Sequence, residues 1–310
     1  MSSPVVAVID IGSNSIKVLV AARRADGRLE ALKTQTIDAR ISAGISRAEP
    51  KLSEEGMVRG LAAIVDLLAV AKPFAPTHTV LVATSAVRDA LNGPEFQSRV
   101  LAATGHPIRI LTGDEEADLI GRGLTCDPEL AHLRDFYVFD LGGGSLECLA
   151  FRDRRIEQGI SLRLGCVRMT EAFIKNPAAP LESAECAALA RHVRDTLKQS
   201  GFRFNLPGAE AVFTGGTMTS VRMMNGALHG VGLEDTPAVV LAATLHALLD
   251  EVGPKDLAER RKMPGMPGAR ADVFPAALVT AVTLAEFGLF ERFHHSLYNL
   301  RWGLAAQALG

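Results

Sequence analysis

Asp10-Ile11-Gly12-Ser13-Asn14-Ser15-Ile16-Lys17 returns, 130 residues later, as Asp140-Leu141-Gly142-Gly143-Gly144-Ser145-Leu146-Glu147. Each copy stands between short apolar runs, residues 5–9 and 18–22 around the first, 136–139 and 148–151 around the second. That pattern predicts strand, tight Gly/Ser turn, strand. Glycine lets the backbone turn sharply and lets N–H groups approach an oxyanion. The hydroxyls of Ser13, Ser15 and Ser145 add donors. Asp10 and Asp140 each end an apolar strand, where a charge needs a partner. Beside a phosphate cradle that partner is a hard divalent cation such as Mg2+. Glu147 lies seven residues after Asp140, across the turn, and faces the same space. A single copy would pass for a hairpin closed by an Asx-turn. Two copies in one eight-residue frame instead point to two related half-molecules facing a cleft.

The chain outward from these hairpins alternates strands and helices, which defines an α/β protein. Strands are expected near 4–10, 16–23, 29–38, 79–83, 107–111, 136–141, 145–152, 155–161 and 211–214. The hairpins make part of each sheet antiparallel. Ser53 caps a helix whose residues Met57, Leu61, Ile64, Val65 and Leu68 recur at helical spacing. Further helices are expected from 113 to about 124, at 166–174, at 181–199 and after Gly215-Gly216-Thr217. Residues 237–250, 254–262 and 273–290 read as mostly helical, and 301–309 as a docking helix. Asp127-Pro128 reads as a linker, so the domains are expected at 1–127 and 128–299, with a helix at about 300–310 packing back on the first.

Composition narrows the function. The 310 residues are 48% hydrophobic and 22% charged, with a net charge of −2. That is ordinary for a globular protein and not basic enough for a dedicated nucleic-acid binder. No apolar stretch is long enough to span a bilayer, and the N-terminus enters a strand directly without a leader-like segment. Cys126, Cys148, Cys166 and Cys186 have neither zinc nor redox spacing and read as reduced thiols of a cytoplasmic protein. The basic clusters at 152–155 and 260–262 read as solvated surface. No histidine has a metal-ligand spacing, and His294-His295 reads as structural or surface. No dinucleotide or Walker-type glycine pattern is present.

Three single residues or turns stand out. Gly215-Gly216-Thr217 follows a strand and opens a helix, a place to hold phosphate. Glu116 closes the acidic triplet Asp114-Glu115-Glu116 at another helix start. Such triplets usually complement the helix dipole. A phosphohydrolase also needs a carboxylate to orient and deprotonate water. Arg88, after Thr84-Ser85-Ala86, is suited to clamping phosphate or pairing with that carboxylate.

Together, residues 10–17, Thr84-Ser-Ala-Val-Arg-Asp-Ala-Leu-Asn92, Gly113-Asp-Glu-Glu-Ala-Asp-Leu119, residues 140–147, Gly215-Gly-Thr217 and Arg270-Ala-Asp-Val273 resemble the exopolyphosphatase / guanosine pentaphosphate phosphatase (Ppx/GppA) family. The resemblance covers essentially the whole chain. It implies two actin-like, ribonuclease H-like domains of the actin, sugar-kinase and heat-shock-chaperone (ASKHA) superfamily, with mixed sheets flanking a central cleft. It implies Glu116 as the water-activating base, with Arg88 a cleft arginine, and Asp140 and Glu147 as the Mg2+ carboxylates. Gly12, Ser13, Asn14, Ser15 and Lys17 would form the first phosphate loop and Gly142, Gly143, Gly144 and Ser145 the second. Asp10 would also face the cleft, with Glu116 acting between the halves.

The implied reaction is Mg2+-dependent (or Mn2+-dependent) release of orthophosphate from the end of polyphosphate, with a monovalent cation such as K+ as a further cofactor. The rival substrate is guanosine pentaphosphate, and a rival of another class is a non-catalytic polyphosphate or alarmone sensor. A homodimer is expected, without nucleic acid or membrane as partner. Longer relatives carry an extra helical domain, so this chain resembles the short two-domain form, with a weaker grip on long chains. Arg301-Trp302-Gly303 stands where the family often shows Arg-Glu-Gly.

Overall fold

The computed structural model describes residues 4–43 and 49–310. The chain divides into two units, one running to His132 and including Tyr298–Gly310, the other Leu133–Leu297. The boundaries therefore fall after 132 and 297 rather than after 127 and 299. Asp127 is no open linker: it is buried, and its side chain caps a short 3-10 turn at Pro128–Leu130.

The first unit is built on β1 (Val5–Ile11), β2 (Ile16–Arg23), β3 (Leu29–Ile37), β4 (His78–Ala83) and β5 (Ile108–Ile110), in the spatial order β3-β2-β1-β4-β5. β1 pairs antiparallel with β2 and parallel with β4. Its nearly continuous apolar run is buried on both faces, as a central strand covered by helices requires. The helices Glu54–Ala71 and Leu300–Leu309 both pack on β1 and β2. Ser53 caps the former by accepting from Gly56 N–H at 3.0 Å.

The second unit holds β6 (Phe136–Leu141), β7 (Leu146–Arg152), β8 (Arg155–Leu162), β9 (Glu210–Thr214), β10 (Val239–Leu241) and β11 (Arg292–His295), ordered β10-β11-β9-β6-β7-β8. Taken from β8 to β11, this order and its strand directions repeat those of the first unit, with β10 added at the edge. Even the β-bulges coincide, between Val20 and Ala21 in one unit and Ala150 and Phe151 in the other. The repeat in the sequence is thus a repeat of whole sheets. Aromatic side chains fill the second core, where Phe139 touches Phe204, Phe213, Phe290 and Phe293.

Two strands depart from the sequence reading. The stretch expected to be helical from 237 opens with β10 before the helix Ala242–Val252, and β11 has no counterpart in that reading. Both are short strands, stabilised by partners distant in sequence, and β11 carries a single phenylalanine among polar residues. The basic cluster at 260–262 is also not all surface. Arg260 is 1% exposed and donates to the carbonyls of Val252, Pro177 and Ala179.

Candidate active site

Register places the second hairpin's carboxylates together. Asp140 and Glu147 are directly opposite in the β6–β7 ladder, so both side chains leave the same face of the sheet. Thr214 lies beside Asp140 across the β6–β9 ladder, and Ser161 beside Glu147 across β7–β8. The hydroxyls flank the acids, Thr214 Oγ1 donating to Asp140 Oδ2 at 3.2 Å and Ser161 Oγ to Glu147 Oε1 at 2.7 Å. All four side chains form one row, with Asp140 and Glu147 buried. Sequence reasoning missed Thr214 and Ser161, because only the ladders bring them in.

The turn that joins these strands is clamped from behind. The carbonyl of Gly142 accepts from Cys166 N–H, that of Gly143 from Val167 and Arg168 N–H, and that of Gly144 from Arg168 Nε at 3.0 Å. The peptides of the described residues are all trans, so each C=O opposes the N–H of the next residue. Holding three carbonyls against the start of the helix Cys166–Phe173 therefore aims the N–H groups of Gly143, Gly144 and Ser145 away from it. Consecutive N–H groups aimed alike make an anion nest. Gly165 makes the clamp close: a Cβ there would stand 2.3 Å from Gly144 N and C and from Ser145 N. Arg168, buried at 7% exposure, was absent from the sequence reading. Only its distance of 24 residues from the loop hid it.

The first hairpin repeats the device. Gly12 N–H closes its turn on Ser15 O at 3.2 Å, as Gly142 does on Ser145 O at 3.0 Å. Arg40 N–H donates to Asn14 O, Arg40 Nε to Asn14 Oδ1, and Ser42 N–H and Oγ to Ser13 O. The N–H groups of Asn14 and Ser15 consequently face the other way. Ser13 Oγ lies 3.2 Å from Ser85 Oγ, and Asn14 Nδ2 is buried with no hydrogen-bond partner, a spare donor at this turn. Lys17 stands opposite Asp10 in the ladder, so the first hairpin carries a cation where the second has Glu147.

Glu116 separates from its acidic neighbours once folded. Glu115 completes a capping box with Thr112 and pairs with Arg109, which explains its place at the start of the helix Gly113–Thr125. The Arg109 partner and the cap hold the Glu115 carboxyl below its ordinary range, the Thr112 backbone bond being the first cause. Glu116 does neither: it is buried, and Arg88 Nη1 donates to its Oε2 at 2.8 Å. The same Nη1 donates to Leu111 O at 3.0 Å. Arg88 therefore pairs with the carboxylate, the second of its two expected roles. The helix bearing Glu116 is locked to the C-terminal helix: a Cβ at Gly303 would meet Leu119 O at 1.9 Å, and one at Gly123 would meet Asn299 O at 2.0 Å. Trp302 is buried and stacks on Tyr298 with ring centroids 4.1 Å apart.

The third glycine turn abuts the acid row. Gly215 has φ +94°, and a Cβ there would lie 2.5 Å from Asp140 Oδ1. Gly216 begins the helix Gly216–Leu228 and lies against the Arg270 guanidinium. Thr217 is fully buried, and its hydroxyl has no hydrogen-bond partner.

Among the described residues, no group of three or more His, Cys, Asp or Glu is arranged to hold a metal. Burial pushes the thiols of Cys126, Cys148 and Cys186 above their ordinary range, so none is an activated nucleophile. No helix among the described residues is long and apolar enough to cross a membrane.

The model of the Ppx/GppA phosphatase family matches residues 19–309. Among curated proteins the chain is similar to the guanosine-5'-triphosphate,3'-diphosphate pyrophosphatase of Vibrio vulnificus, 28% identical over 310 residues. That match covers 99% of this chain but only 60% of the relative. Among solved structures it superposes on an exopolyphosphatase from Cytophaga hutchinsonii with TM-score 0.89 at 21% identity, covering 98% of this chain and 97% of that one. The Aquifex aeolicus member of the Ppx/GppA family gives TM-score 0.80 at 22% identity, over 99% and 98%. These likenesses show the fold, two α/β domains of the actin-like type with mixed sheets.

Proposed function

The chain belongs to the Ppx/GppA phosphatase family, and on that premise we propose that it is an exopolyphosphatase. Water attacks the terminal phosphorus of inorganic polyphosphate, the bridging P–O bond breaks, and orthophosphate leaves a chain shorter by one unit. The observation that carries this reading is the second hairpin, with two adjacent buried carboxylates running into a turn with three outward N–H groups.

Phosphoryl transfer needs positioning and charge stabilisation more than covalent chemistry. The N–H groups of Gly143, Gly144 and Ser145 bind phosphate oxygens, and those of Asn14 and Ser15, with Lys17, do so in the first unit. Glu116, held by Arg88, orients the attacking water and takes its proton. Asp140 and Glu147 fit a divalent cation, Mg2+ or Mn2+. They are hard oxygen donors on one face, and Mg2+ commonly takes one or two carboxylates and completes its shell with water and phosphate. Bound there, the ion supplies neutralisation of charge on the phosphate oxygens. The four free cysteines fit a cytoplasmic setting, and a homodimer is part of the proposal, to be checked by light scattering.

A second reading, hydrolysis of the 5′-phosphate of guanosine pentaphosphate, is favoured by the name of the Vibrio relative, of whose length this chain spans 60%. Phosphate release from short polyphosphate, long polyphosphate and guanosine pentaphosphate, with Mg2+ or with chelator, separates the two. Release from polyphosphate alone supports the first. Binding without release from any of them would leave the sensor reading.

A further inference from the structure

His294-His295 reads as structural or surface in the sequence, and the two residues part company in the fold. His294 pairs with Glu210 at 3.2 Å. His295 is buried on β11, alongside Phe213 of β9, the strand that leads into the third glycine turn. Its ring bridges two side chains of the helix Gly216–Leu228. Arg222 Nη1 lies 2.9 Å from His295 Nδ1, and His295 Nε2 lies 3.2 Å from Thr219 Oγ1. Thr219 Oγ1 donates to Gly215 O at 3.0 Å.

We infer that Arg222, His295 and Thr219 form a relay that orients and polarises the Gly215–Gly216 peptide, making Gly216 N–H a phosphate donor. The inference rests on the reading of this turn as part of a phosphate site. The three are positioning residues. Chemistry settles the direction of every bond. Arginine has only donors, so Nδ1 accepts. The imidazole proton then sits on Nε2 and is given to Thr219 Oγ1. That hydroxyl has its own proton left for Gly215 O. Burial, and then the charge of Arg222, push His295 down to about 3, which keeps the ring in this neutral form. Arg222 is itself fixed by Pro237 O, Leu233 O and Thr236 O.

The end of the chain is what matters. Gly215 O also accepts Thr219 N–H at 3.3 Å, so the carbonyl is held from the helix side. In a trans peptide Gly216 N–H then points the opposite way. A peptide whose C=O accepts strong bonds is a stronger N–H donor, because linked hydrogen bonds polarise one another. The Arg270 guanidinium beside Gly216 adds a full positive charge at the same point.

Thr219→Val is the sharpest test, since it keeps the shape and removes only the hydroxyl. Orthophosphate is titrated into 15N-labelled protein and the Gly216 amide is followed by NMR, beside a calorimetric Kd. In wild type the amide shifts on binding. In Thr219→Val, affinity falls about three- to tenfold, and Thr219→Ser restores it. In turnover, the loss appears mainly in KM if the bond serves ground-state phosphate. Should Thr219→Val not fold, His295→Phe, which can neither accept from Arg222 nor donate to Thr219, is titrated instead, with the same weakening expected.

An unshifted Gly216 amide in wild type, wild-type affinity in Thr219→Val or in the His295 variant that replaces it, or a His295 ring protonated at Nδ1 overturns the relay. If wild type binds orthophosphate but hydrolyses no substrate, the proposed activity fails while these measurements still decide the relay.

Discussion

Gly165→Ala isolates the clamp behind the Gly142–Ser145 turn. Gly165 has φ −62° and ψ 149°, a conformation any residue adopts. Alanine there carries no backbone strain and would gain about 0.4–1 kcal/mol from a less flexible unfolded chain. The cost is contact alone. The new methyl would lie 2.3 Å from three backbone atoms of Gly144 and Ser145, where ordinary contact begins at 3.4 Å. The loop must retreat by about 1 Å, because these atoms are backbone and have no rotamer to change. Overpacking of this size typically costs about 1–3 kcal/mol, so net destabilisation is about 0–2.5 kcal/mol, a few degrees in Tm.

Catalysis should suffer more. A 1 Å misplacement of binding groups is worth on the order of 100-fold in rate, about 2.7 kcal/mol. Phosphate release is measured well below the unfolding temperature, beside a thermal melt and a Gly232→Ala control, where no atom lies within 4 Å of the added methyl. A Gly165→Ala enzyme within threefold of wild type would refute the clamp. So would a loss of activity that merely tracks the unfolded fraction.

Other outcomes follow from single contacts. Glu116→Gln keeps a bond from Arg88 but cannot accept the water's proton, so kcat drops by about 100-fold or more while KM stays within a few fold; an unchanged kcat removes Glu116 from the base role. Asp140→Asn and Glu147→Gln should raise the Mg2+ concentration giving half-maximal activity by at least about tenfold, and an unaltered metal titration curve would place the ion elsewhere. Arg260→Met removes the donor to Pro177 O and Ala179 O, while Val252 O keeps Lys255 N–H, and should lower stability by about 1–3 kcal/mol in denaturant titration, with phosphate release unaffected in the folded protein. His295, held down to about 3 against an unfolded value of 6.5, binds fewer protons folded than unfolded. Stability should therefore fall as pH drops from about 6.5 toward 3, by up to about 1.4 kcal/mol per pH unit. Urea titrations of wild type and His295→Gln along that range should show the slope shrink in the variant, and equal slopes would contradict the buried neutral ring.

The duplication and the two hairpins were legible before folding. Strand–turn–strand is a local matter: apolar β-formers flank glycines that turn the chain, and the eight-residue frame sets Asp140 opposite Glu147 as soon as the hairpin closes. The helix starts at Ser53 and Gly113 were legible for the same reason, since caps lie within three residues of what they cap.

Tertiary structure decided what depends on distant partners. Glu115 is accounted for locally by its capping box with Thr112, whereas Glu116 meets Arg88 from 28 residues away. Thr214, Ser161 and Arg168 join the second hairpin through ladders and a clamp spanning 74, 14 and 24 residues. β10 and β11 exist because other strands complete their hydrogen bonds, a gain no local propensity records. His295 acquired its place in the same way: Arg222, 73 residues before it, fixes its tautomer, which a reading of two adjacent histidines had no means to assign.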